Sequence, residues 1–156
     1  MSEKIASNIW TWYGQDEYRC IILVGELCSA LEFLALEAAA QEREISCCLE
    51  CSFDDDVTQY IDAFLRVYAG PLTPELRQGL EALQARYYHL SDAALLYREG
   101  ERFTQEEWQA MRVGARHALD MIGWDDVKEH MGSLTDDCHA QLKKRGGLKT
   151  QNDDHF

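Results

Sequence analysis

The chain has 156 residues, a formal net charge of −13, 46% hydrophobic and 28% charged residues. That length suits one domain with a real hydrophobic core, and that apolar content excludes a disordered chain. A surface this acidic repels nucleic acid and anionic membranes, so neither is an expected direct partner; its natural complement is a basic protein.

In chain order, the apolar pattern is helical nearly throughout. A first short helix is expected over residues 3–13, ending near Gly14, with Trp10, Trp12 and Tyr13 packing it onto the core. Asp16 is the expected cap of a long second helix running to about Arg43. Most positions from Cys20 to Ala40 are apolar, which marks this helix as central and buried. Glu26, Glu32 and Glu37 within it exclude a membrane span, because each carboxylate costs roughly 2 to 4 kcal/mol at mid-bilayer. The run "RCIILVG" at 19–25 has strand composition, but an isolated strand has nothing to pair with, so it is read as helix.

Asp54, Asp55 and Asp56 form an expected N-cap cluster for the next helix, placing negative charge at the positive end of its dipole. Val57, Tyr60, Ile61, Phe64, Leu65 and Tyr68 then share one face, and Gly70 and Pro71 stop the helix. "TPE" at 73–75 opens the following helix, with Thr73 as cap and Pro74 at its first position. Leu76, Leu80, Leu83, Tyr87 and Leu90 repeat along it at threes and fours. Ser91 and Asp92 begin an expected short helix closed at Gly100. Thr104 and Glu107 have capping-box spacing for a helix with Trp108, Met111, Ala115, Leu119 and Ile122 on one side, ending at Gly123. Two small helices are expected around 125–131 and 134–145. The resulting fold is all-α, a single-domain bundle of about six to eight helices around one long central helix; residues 1–147 form the domain and 148–156 a flexible tail.

The most suggestive motif is "ISCCLEC" at 45–51, where Cys48 and Cys51 have C-x-x-C spacing. Structural zinc takes four ligands, usually as two such pairs. The only cysteine–histidine pair elsewhere is Cys138-His139, and adjacent residues project about 100° apart on a helix. Cys48, Cys51, Cys138 and His139 are therefore the fallback metal candidates, and packing explains the six cysteines better. A di-metal carboxylate site needs Glu-x-x-His pairs, and no glutamate here has a histidine three residues on. Asp54–Asp56 do not open an EF-hand loop, since Leu65 stands where its bidentate glutamate belongs. No phosphate loop, nucleophile elbow or catalytic histidine spacing is present, so neither an enzymatic activity nor a cofactor is expected.

The charge is uneven. Ten acidic residues and one basic residue lie between Glu26 and Asp62, which gives that segment −9 of the total −13. Glu42, Glu44, Glu50, Asp54, Asp55 and Asp56 are the expected partner-binding carboxylates, and Tyr60 the aromatic anchor beside them. "KKRGGLK" at 143–149 is the one basic cluster and suits a helix C-terminus.

In size, acidity and the absence of catalytic motifs, the whole chain resembles the immunity proteins of bacterial polymorphic toxin systems, including contact-dependent growth inhibition; the resemblance involves no residue motif. It implies a cytoplasmic protein that binds and blocks a cognate toxin, often an RNase or DNase. Phage-encoded inhibitors of nucleic-acid-handling complexes share that profile. Two other classes compete with this reading: a metal- or thiol-dependent enzyme or sensor using buried Glu and Cys, and a helical adaptor whose acidic face is solubilising.

Overall fold

The structure is a computed structural model that describes residues 4–45, 53–68, 70–90, 104 and 106–148. Among the described residues every regular element is helical. They are α1 (Ile9–Gly14), α2 (Tyr18–Ala35), α3 (Ala38–Ile45), α4 (Phe53–Val67), α5 (Pro74–Tyr88), α6 (Glu106–Ile122) and α7 (Lys128–Leu148). Two 3-10 turns, Ile5–Asn8 and Trp124–Asp126, precede α1 and α7. The expected short helix after Ser91 lies outside the described residues, as do Cys48, Glu50, Cys51 and the tail beyond Leu148.

Helix α2 is the hub, packed by α1, α4, α6 and α7, while α5 lies on α4 and α6. Ile21, Val24, Leu27, Cys28, Leu31 and Leu34 are all shut off from water, which explains why α2 is apolar on nearly every side. The core continues into Ile61 and Phe64 of α4, Leu80 and Leu83 of α5, and Met111, Ala115 and Ile122 of α6. These are the stripes that the 3.6-residue period selects. Helix α7 runs antiparallel to α2: the Arg145 guanidinium stands over the Tyr18 ring, whereas Thr135 and Met131 meet Gly25.

The long second helix expected to reach Arg43 is instead two helices. Leu36 is extended (φ −68°, ψ 154°) and α3 begins afresh at Ala38. The reason lies in the last carbonyls of α2, which have no intrahelical donor once the helix stops. Gln41, fully buried, donates to the carbonyls of Phe33 (3.0 Å) and Leu34 (3.3 Å). Arg116 donates to Ala35 (2.8 Å) and Arg112 to Leu36 (2.5 Å). Arg112 also donates to the side-chain oxygens of Gln41 (2.7 Å) and Gln109 (2.5 Å). Two guanidiniums at the negative end of the α2 dipole, one turn apart on α6, stabilise the break and override the helix propensity of "LEFLALEAAAQER".

Other boundaries shift for equally local reasons. Asp16 does not cap α2: it sits at φ 63°, and its carboxylate accepts from the Tyr18 hydroxyl (2.9 Å) and Arg145 (2.8 Å). Helix α4 begins at Phe53, so residues 54–56 occupy its first turn rather than its cap. Residues 128–148 form one helix instead of two small ones, because Met131, Leu134 and Cys138 keep a continuous buried stripe through Gly132 and Ser133. Thr73 does cap α5, accepting from the Leu76 N–H at 3.2 Å, and Pro74 follows at the first position. Gly123 closes α6 in the left-handed region at φ 85°, where a side chain would strain the backbone. No described helix is long and apolar enough to cross a membrane.

Candidate functional site: the α2–α7 groove

A stripe of α2 residues at threes and fours, Ile22, Gly25, Ser29 and Glu32, faces a matching stripe of α7, Lys128, Gly132, Thr135 and His139. At Gly25 the helices touch, since a Cβ there would stand 3.0 Å from Thr135 Cγ2. Along the stripe, small side chains at Ser29 and Gly132 leave a groove of about 360 Å³, walled by Tyr60 of α4 and Trp124 of the 3-10 turn. Glu26, flanking Gly25 on α2, and Met131 of α7 complete its lining.

The groove lining is mixed, with Glu26, Glu32, Lys128, Thr135 and His139 set among apolar side chains. Glu26 is half-buried, and no hydrogen bond or ion pair reaches it among the described residues. Loss of water holds its carboxyl above the usual carboxylate range, and the nearby His139 ring opposes that shift. The Trp124 side chain is 6% exposed, and its indole N–H has no acceptor among the described residues. A buried donor without a partner is a cost to the fold. The Thr135 hydroxyl is occupied, donating to the carbonyls of Met131 (2.7 Å) and Gly132 (3.1 Å). Lys128 is drawn toward Asp125, at 3.3 Å.

Of the partner-binding residues expected from sequence, Tyr60 lines this groove, half-buried. Glu42 is half-buried on α3, next to the fully buried Gln41. Glu44 lies near the end of α3 and Asp54–Asp56 in the first turn of α4, but their side chains, like the whole of Glu50, fall outside the described residues.

The fallback metal pair separates as helix geometry requires. Cys138 is fully buried while His139 is exposed on the groove. Burial, with the neighbouring Asp137 carboxylate, pushes the Cys138 thiol up to about 11, and burial likewise raises Cys28. Such thiols are poor nucleophiles at neutral pH. Glu32 and Glu37, on the helix expected to be central and buried, are themselves exposed, and Glu37 stands in the break outside α2. Among the described residues no three His, Cys, Asp or Glu side chains converge as metal ligands.

Trp124, Ser29, Lys128 and Gly132 were not anticipated as groove residues. The signal for Ser29 and Gly132 is a gap, small residues where a helix pair would otherwise interdigitate, which is legible only once the two helices are known to face each other. No protein-family model, curated protein or solved structure matches the chain.

Proposed function

We propose that this chain is an acidic protein-binding inhibitor that neutralises a basic partner, a toxin nuclease acting on RNA or DNA, by electrostatically steered tight binding and occlusion of its active site. The observation that carries this reading is the charge distribution, −9 between Glu26 and Asp62 out of −13 overall. Nucleases are basic where they hold their polyanionic substrate, and an acidic surface competes for that face with accelerated association. Glu42, Glu44, Glu50, Asp54, Asp55 and Asp56 pair with lysines and arginines of the target, and Tyr60 supplies the desolvated anchor. The groove supports the reading because it sets the half-buried Glu26 beside that aromatic residue. The protein then acts in the cytoplasm and needs no cofactor.

The test mixes the purified protein with basic toxin nuclease domains, RNases and DNases in turn, and follows nucleic-acid cleavage. One equivalent abolishes cleavage, and affinity falls steeply as salt rises. The combined reversal Asp54→Lys, Asp55→Lys and Asp56→Lys slows association more than it speeds dissociation. Undiminished cleavage at saturating inhibitor sinks the proposal.

A further inference from the structure

We infer that the α2–α7 groove is the receptor for one arginine side chain of that basic partner, its guanidinium seated against the Glu26 carboxylate. The inference rests on the partner-binding reading and deepens it: it moves the specific contact from the exposed aspartates of α4 to a groove between helices.

Three features of the groove select this occupant. Glu26 is half-buried, with neither a hydrogen bond nor an ion pair among the described residues, so its carboxylate is available to an incoming donor. A bond from a cation to a carboxylate already short of water is stronger than the same bond at the surface. Next, Gly25, Ser29 and Gly132 add little side-chain bulk to the lining, and Tyr60 contributes an aromatic ring to it. A flat guanidinium fits such a slot and stacks on aromatic faces, whereas a compact, strongly hydrated ammonium gains less from it. Finally, Trp124 and Glu32 lie at the other end of the groove from Glu26 and His139. Glu26 and Glu32 are about 9 Å apart along α2 at 1.5 Å rise per residue, a span suited to an extended long side chain and its own backbone.

Other ligand chemistries fit less well. An anion meets Glu26 and Glu32 in the lining, and the ammonium of Lys128 is drawn toward Asp125. An apolar anchor leaves Glu26 without a partner.

The experiment titrates the full chain by proton–nitrogen NMR with the blocked tripeptide acetyl-Gly-Arg-Gly-amide, its lysine and citrulline versions, and free arginine. Saturable shifts of the Trp124 indole N–H and the Gly25 and Gly132 amides are expected with the arginine peptide. The lysine peptide binds severalfold more weakly, and the uncharged citrulline peptide gives no shift. Glu26→Gln weakens the arginine peptide about tenfold. Gly132→Leu abolishes its binding with unfolding temperature undiminished, because a Cβ at 132 meets nothing within 4 Å and leucine is the better helix former. Equal responses to arginine and citrulline overturn the inference, as does unchanged affinity in Glu26→Gln. Tighter binding of free arginine than of the blocked peptide also overturns it, since that marks a small-molecule site. Nuclease assays with the same variants separate the two readings. Inhibition that survives both substitutions removes the groove inference and leaves the inhibitor reading standing. Groove binding of the arginine peptide without any nuclease inhibition does the reverse.

Discussion

Arg112 and Glu26 both bring charge close to α2, one at its C-terminal end and one in mid-helix, and the fold treats them in opposite ways. Arg112 is 5% exposed, and its guanidinium donates to the Leu36 carbonyl and to the side chains of Gln41 and Gln109. Every one of those bonds is internal, so its charge is consumed in ending one helix and aiming the next. Glu26 is half-buried on the groove and has no hydrogen bond among the described residues. A buried charge whose bonds are all satisfied is architecture. A half-buried one with no internal donor keeps its charge available to a binding partner.

The largest test of that contrast is Arg112→Met. It strands the Leu36 carbonyl and the buried Gln41 oxygen, and is expected to lower unfolding free energy by about 3 kcal/mol in urea titrations. Arg112→Lys recovers less than half, because one ammonium cannot reproduce a planar fork reaching three acceptors. A loss under about 1 kcal/mol in Arg112→Met means the break is held by something else.

Gly123→Ala tests a backbone constraint instead of a charge. At φ 85° the new Cβ stands 3.0 Å from Lys4 Cδ and 3.1 Å from Ala6 Cβ, so thermal unfolding should report a loss of about 1 to 2 kcal/mol.

Glu26→Gln is expected to act the other way, raising stability at neutral pH by less than about 1 kcal/mol, since solvent still screens the site. The sign of its pH dependence follows from the raised carboxyl pKa. The folded-state penalty is present when Glu26 is ionised and fades as pH falls through that raised value, where the folded protein takes up a proton more readily than the unfolded chain. The advantage of the variant should therefore disappear on acidification; an advantage that grows toward low pH contradicts the account.

The smallest effect is confined to the alkaline limb. Tyr13 donates its hydroxyl to Asp137, a bond that, with some loss of water, pushes the phenol from 10.0 up to about 12. A folded-state pKa above the unfolded one stabilises below about pH 10 and loses that contribution as pH rises through 12. Tyr13→Phe should flatten this part of the stability profile.

Much of the helical framework was legible because it is local. The Thr73-Pro74 start of α5, the Gly123 stop of α6 and the stripes Ile61–Phe64, Leu80–Leu83 and Met111–Ala115–Ile122 all follow from side chains within a few residues of one another. The misreadings share a different cause. Asp16 reads as a cap until Arg145 arrives from 129 residues away to engage it. Gly132 and Ser133 read as a helix break until the core behind Met131 and Leu134 holds α7 straight. In the candidate site Tyr60 was legible as an aromatic beside acidic residues; Trp124 and Ser29 were not, since neither carries a local signal.

The sequence by itself determined an all-helical chain, its acidity and where that acidity concentrates, because propensity, hydrophobic period and charge are properties of neighbouring residues. Only the tertiary structure decided where the central helix ends and where the groove lies. The donors that end α2 come from residues 76 and 81 positions away, Arg112 to Leu36 and Arg116 to Ala35. The groove exists only because small residues on two distant helices were brought opposite one another. Neither the donors nor the gap has any effect on the chain until packing places them.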